Sequence, residues 1–161
     1  MTEPRWLNAD ERRAWLALLS INTMLPAALD TQLHTAGKLS LFDYNVMAML
    51  SEAEGRFLPM SELAARTSSS LSRLSHVVTK LEKRGWLERR PHPGDARVTT
   101  AHLSDAGMAT LVALVPGHVE AVRTKFLDAL TARDVADLAR IGEKIVARLD
   151  DDHWILRENQ P

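Results

Sequence analysis

The chain has 161 residues, 45% of them hydrophobic and 5% aromatic, with 20 Lys and Arg against 21 Asp and Glu for a net charge of −1. That length fits one domain or two small lobes sharing a core, and the apolar fraction is too high for a disordered chain. No uncharged apolar run nears the roughly 20 residues of a membrane span, no apolar signal core follows Met1, and zero cysteine excludes disulfides, thiolate zinc sites and thiol switches, so a cytoplasmic protein with no membrane contact is expected.

The elements follow in chain order. Asn8 and Glu11 stand at capping-box spacing, and Trp15, Leu18, Leu19, Leu25, Leu29 and Leu33 recur at helical intervals, which predicts a first helix of about 40 Å reaching residue 36. Pro26 lies inside it and should kink it; Gly37 is the expected stop. Ser40 and Asp43 form a second capping box, ahead of an apolar face of Phe42, Val46, Met49 and Leu50 that ends at Glu54-Gly55. A short extended piece, 56–59, follows, because Pro59 disfavours helix at Leu58. Residues 61–66 read as one short helix, 67–70 as a turn and cap, and 71–84 as a second helix with Leu71, Leu74, Val77, Val78 and Leu81 inward. Gly85 closes it. Residues 86–90 and 97–103 are β-prone and flank the turn-rich 91–96, predicting a hairpin. Ser104 caps a helix to about residue 130, bent at Pro116-Gly117, and Thr131 with Asp134 opens another, with Val135, Leu138, Ile141, Ile145 and Leu149 on one face. Asp150-Asp151-Asp152 opposes the macrodipole and should fray that end; Trp154-Ile155-Leu156 is too apolar to be left uncovered.

The fold class is therefore mainly α with a small β hairpin. Helix, turn, helix, hairpin is the order of a winged helix-turn-helix, expected over 37–103, with 1–36 and 104–161 as a helical dimerisation region. The charge supports this reading. Residues 56–97 hold nine basic and four acidic side chains, a net +5, so the remainder carries −6; a localised basic face is the footprint of phosphate binding, although a solvated surface would also be charge-rich. If the apolar stripe of the second helix faces inward, Ser72, Arg73, His76, Thr79 and Lys80 face outward. Arg73 has the fork to read guanine and His76 a donor for purine acceptors. Ser69, Ser70 and the helix N-terminus suit phosphate. In the hairpin, Asp95 lies two residues before Arg97 and can hold its guanidinium in one rotamer for entry into a narrow minor groove, with Arg89, Arg90 and His92 in reach of phosphates.

Leu63-Ala64-Ala65-Arg66, Leu81-Glu82-Lys83-Arg84-Gly85-Trp86-Leu87-Glu88-Arg89-Arg90-Pro91, Gly94-Asp95-Ala96-Arg97 and Leu103-Ser104-Asp105-Ala106-Gly107 together resemble the MarR family of winged-helix transcription regulators. The resemblance covers nearly the whole chain. It implies a homodimer of interlocked N- and C-terminal helices that presents two winged helices to a pseudo-palindromic double-stranded DNA operator. The sequence has no Ser-centred elbow, no phosphate-cradling glycine loop and no paired carboxylates at a distinctive spacing, so no enzymatic activity is expected. The resemblance also implies that Ser70, Ser72, Arg73, His76 and Lys80 hold recognition-helix positions and that Asp95 and Arg97 form the wing motif. Two departures stand out: Ser68-Ser69 replaces the family's Gly-hydrophobic turn, and His76 stands where Arg is common. Members often sense small aromatic ligands, for which Trp15, Met24, Tyr44 and His118 are candidates, each equally readable as core or interface. Six histidines, at 34, 76, 92, 102, 118 and 153, make no HxxxH or HExxH pair, so no metal or cofactor is expected; a metal-sensing regulator and a protein-contact winged helix are the alternatives.

Overall fold

Helix α1 (Ala9–Gly37) begins where its capping box places it: Asn8 Oδ1 accepts from the Glu11 N–H at 2.9 Å, and the Glu11 carboxylate accepts from the Asn8 N–H at 2.8 Å. A computed structural model of the chain describes residues 3–158; the expected dimerisation segments extend outside them, at 1–2 and 159–161. Pro26 lies within α1 without ending it. The left-handed residue that closes α1 is Lys38 (φ 55°), not Gly37. Gly37 is instead a point of close approach, because a Cβ there would stand 3.1 Å from Leu114 Cδ2.

Helix α2 (Leu41–Glu52) carries the second capping box. A 3₁₀ turn, Glu54–Arg56, leads into β1 (Phe57–Pro59). Helices α3 (Met60–Arg66) and α4 (Leu71–Glu82) follow, α4 ending before the expected residue 84. Strands β2 (Leu87–His92) and β3 (Asp95–Leu103) reach further toward the turn than their β-prone cores. All three strands form one antiparallel sheet, order β1-β3-β2, with Leu58 and Arg89 both opposite Ala101. The extended piece read from Pro59 is thus an edge strand. Helix α5 (Asp105–Lys125) continues through Pro116 and ends ahead of the expected residue 130, where a 3₁₀ turn, Leu127–Ala129, takes over. Helices α6 (Ala132–Leu149) and α7 (Trp154–Glu158) complete the chain.

The core is closed by the winged-helix unit and the adjoining parts of α1 and α5. Leu33, Leu39, Val46, Met47, Leu50, Leu63, Leu74, Val78, Leu81, Leu87, Leu103 and Leu111 form one buried cluster, each side chain contributing about 1.5–3 kcal/mol by leaving water. Leu71 does not join the stripe expected of it: it is 55% exposed. As the first residue of α4 its Cβ tilts toward the helix N-terminus, past the edge of the core.

Helix α5 is fastened to the α4–β2 turn. Ser104 Oγ donates to Gly85 O at 2.6 Å and accepts from the Gly107 N–H at 3.0 Å. The backbones come so close that a Cβ on Gly107 would lie 2.3 Å from Trp86 O, which requires glycine there. The outer helices contrast with this. Every residue from 9 to 24 is exposed, α6 buries none, and Trp15, Leu18, Leu19, Val135, Leu138, Ile141 and Ile145 all face solvent. The apolar tail is half-covered within the chain: Trp154 lies 5.8 Å from the Arg66 guanidinium, and Ile155 lines a cavity of about 410 Å³ with α6.

Candidate nucleic-acid interface

The turn before α4 is built from hydroxyl groups. Thr67 Oγ1 donates to Leu63 O at 2.7 Å and lies 3.1 Å from Ser69 Oγ. Ser68 takes the left-handed region (φ 49°) that a glycine would occupy more easily. Ser70 caps α4, its Oγ accepting from the Arg73 N–H at 3.2 Å. Ser70, Ser72, Arg73, His76, Thr79 and Lys80 are exposed and Ser69 half-buried, so the outward face expected of α4 exists.

Several of its side chains are held rather than loose. The Arg73 guanidinium lies 4.2 Å from the centroid of the Phe42 ring, a cation–π contact that restricts the side chain, while the residue stays exposed. Lys80 Nζ donates to Asp43 Oδ2 at 2.5 Å, and Asp43 is 1% exposed. The same oxygen accepts from the Ser40 N–H at 2.8 Å. Lys80 therefore serves as counter-ion to a buried carboxylate as well as standing on the exposed face of α4.

Arg89 joins the wing to α4. Its Nη2 donates to Ser75 O at 2.8 Å, Ser75 Oγ at 3.1 Å and Thr79 Oγ1 at 3.0 Å, while Nη1 and the backbone N–H engage the Glu82 carboxylate. Arg90 turns to Glu88, with N–O distances of 2.9 and 2.6 Å. Farther out, β2 and β3 pair with a bulge at Pro91/His92, and His92 Nδ1 accepts from the Gly94 N–H at 2.9 Å. Near the tip Asp95 grips Arg97: Arg97 Nε and Nη2 each lie 3.0 Å from a carboxylate oxygen, and the Arg97 N–H donates at 3.1 Å. The guanidinium holds the Asp95 carboxyl below its ordinary value and is itself raised by the pair. Arg97 remains 90% exposed, fixed in direction yet open to a partner.

The effector candidates separate into two places. Tyr44 and His118 are buried and their rings meet at 4.2 Å; burial raises the tyrosine hydroxyl and lowers the imidazole. Trp15 and Met24 lie on the exposed face of α1, and Met24 lines a cavity of about 290 Å³ with Ile21, Leu25, Lys125 and Phe126. Among the described residues no group of three or more His, Asp or Glu side chains is placed to hold a metal, and no helix is long and apolar enough to cross a membrane.

Sequence reading missed the supports: Phe42 under Arg73, Asp43 behind Lys80, and Ser75 with Glu82 around Arg89. It also missed Arg84, which donates to Gly37 O at 3.3 Å and Lys38 O at 3.1 Å and so caps α1 from a distance. Asp43 carried a local signal, its capping box; its link to Lys80 spans 37 positions and has none.

Residues 39–99, from the start of α2 to the middle of β3, match the model of the MarR family. Over most of its length the chain is similar to Sco3205 of Streptomyces coelicolor, a MarR family transcriptional regulator solved in complex with DNA, with 37% identity, a TM-score of 0.88, and coverage of 93% of this chain and 94% of that one. AbsC, another MarR family regulator of Streptomyces coelicolor, is 35% identical with a TM-score of 0.87, covering 92% of this chain and all of that one at 100%. The transcriptional repressor MprA of Escherichia coli is 28% identical over 107 residues, 66% of this chain and 60% of its own length; the chain thus spans less than two thirds of that repressor. Winged-helix order, wing motif and near full-length similarity agree, and the chain belongs to the MarR family of transcriptional regulators.

Proposed function

We propose that the chain is a sequence-specific double-stranded DNA-binding regulator, a repressor that works in the cytoplasm as a homodimer on a pseudo-palindromic operator. The observation that carries this reading is the pair of pre-set arginines. Arg73 is braced on Phe42 at the start of α4, and Arg97 is braced by Asp95 near the wing tip. Fixed guanidinium groups at these two points suit a guanine edge in the major groove and a narrow minor groove, and less rotamer freedom is lost on contact. Capture of DNA by Sco3205 supports the DNA reading, and the repressor MprA supports the sign of regulation. The exposed apolar faces of α1 and α6 support a second copy as partner, through helices of 1–36 and 104–161, leaving 37–103 to DNA. Two such units dock about 34–36 Å apart, one turn of duplex. A small aromatic effector would act by favouring one spacing of the two units over another; the cavity beside Met24, apolar with one Lys125 ammonium, suits an aromatic acid.

Selection of bound sites from random duplex DNA tests the proposal. The expected result is a two-fold consensus whose affinity falls steeply between low and moderate salt, as phosphate contacts require. Failure to enrich any sequence, or a flat salt dependence, refutes it.

A further inference from the structure

The winged-helix unit hides its large apolar side chains with two exceptions. Among the described residues from 39 to 103, the exposed large hydrophobics are Leu71, at 55%, and Val98, at 37%. All others so exposed belong to α1, α5, α6 or the residues ahead of α1. The exceptions fall at the two places a winged helix offers to DNA, the first turn of α4 and the residue after Arg97.

Leu71 follows the cap Ser70 directly and precedes Ser72 and Arg73, with Ser75 next along the same ridge. The core takes Leu74, Val77, Val78 and Leu81 from α4 and leaves Leu71 aside. Everything beside Leu71 on this face is a polar donor or acceptor, suited to base edges or phosphate. Its own side chain suits the one apolar group on the major-groove edge of the bases, the thymine 5-methyl group. The first residues of a recognition helix lie nearest the bases. We infer that Leu71 reads a thymine in each half-site by packing its methyl groups against that 5-methyl. This inference rests on the DNA-binding reading above and adds a base identity to it.

The test uses the full chain and the selected consensus duplex, with each consensus thymine replaced in turn by deoxyuridine, which pairs identically and lacks only the methyl. Binding is read by fluorescence anisotropy for the parent and for Leu71→Ala; because Leu71 is exposed and outside the core, circular dichroism and melting of the variant should match the parent. One thymine per half-site is expected to weaken parent binding about three- to tenfold on replacement, and Leu71→Ala is expected to bind both duplexes alike. A consensus in which no replacement matters, or in which Leu71→Ala keeps the parent's discrimination, overturns the role of Leu71 and leaves the DNA-binding reading standing. No enriched consensus at all takes both down.

Discussion

Arg73 and Arg97 are alike in charge and different in task, because their braces differ. Phe42 offers Arg73 a ring face, which leaves the guanidinium edge available for a base; Asp95 takes one edge of Arg97 and aims the rest outward. Arg73→Ala should therefore shrink the ratio of consensus to scrambled-site affinity by about tenfold, a loss of one good base contact. Arg97→Ala should weaken both sites together. Equal loss of specificity in the two variants would show that the two arginines share one role. His118 makes a different kind of prediction. Its Nδ1 is buried without a hydrogen-bond partner, and burial holds its pKa below the ordinary 6.5. As pH falls the unfolded chain takes up this proton first, so stability drops from the ordinary histidine value downward until the folded state also protonates. The melting temperature should fall between about pH 7 and about pH 5, and less so in His118→Gln. Parallel curves would show that the imidazole does not contribute. His102, also lowered by burial, accounts for the decline left in the variant.

At the scale of elements, Arg89 makes α4 and the wing one piece. Its guanidinium spans Ser75, Thr79 and Glu82 from β2, so the direction of the wing is referred to α4, the helix proposed to read the groove. Arg89→Ala should lower stability by about 1–3 kcal/mol, speed amide exchange at the wing tip and weaken DNA binding several-fold. Arg89→Lys should not restore these, because an ammonium has no planar fork to meet three acceptors. Unchanged exchange in the wing would remove the coupling. How far this was legible follows from sequence distance. Capping boxes at Asn8, Ser40 and Thr131, the cap at Ser104 and the Asp95–Arg97 pair are contacts over two or three residues, and each stands as read. Phe42–Arg73, Asp43–Lys80 and Arg84 on the end of α1 join distant segments, and no periodicity encodes them. Leu71 departs from its expected place for a related reason: helical spacing fixes which side of α4 a residue shares, whereas the edge of the core is set by the elements packed against that side.

At the scale of the molecule, the described residues hold a closed core and leave apolar side chains open on α1, α5 and α6. The winged-helix unit, with the adjoining parts of α1 and α5, buries or half-buries its large apolar residues except Leu71 and Val98. Helix α6 presents Val135, Leu138, Ile141 and Ile145 to solvent, and the first half of α1 does the same with Trp15, Leu16, Leu18 and Leu19; exposed apolar side chains grouped in this way mark an interaction surface. A second copy covering them should make the chain sediment as a dimer without DNA at micromolar concentration. Ile141→Glu should shift it to monomer and collapse operator affinity while the winged-helix core keeps its helical signal. A monomeric parent would sink the assignment of these faces. Charge is divided along the chain as well: 56–97 carries +5 and the remainder −6, so the proposed phosphate contacts fall in the basic segment.

The exposed first half of α1 also bears on the order of events during folding. Residues 9–24 are exposed throughout, so on its own this arm is a helix of marginal persistence in water. The winged-helix core can close in a concentration-independent step as soon as its own segments exist. In the proposed dimer the arm waits for a second chain, and its ordering is a bimolecular event. Refolding should then separate into a fast phase indifferent to protein concentration and a slower one, reported by Trp15 fluorescence, whose rate rises with it.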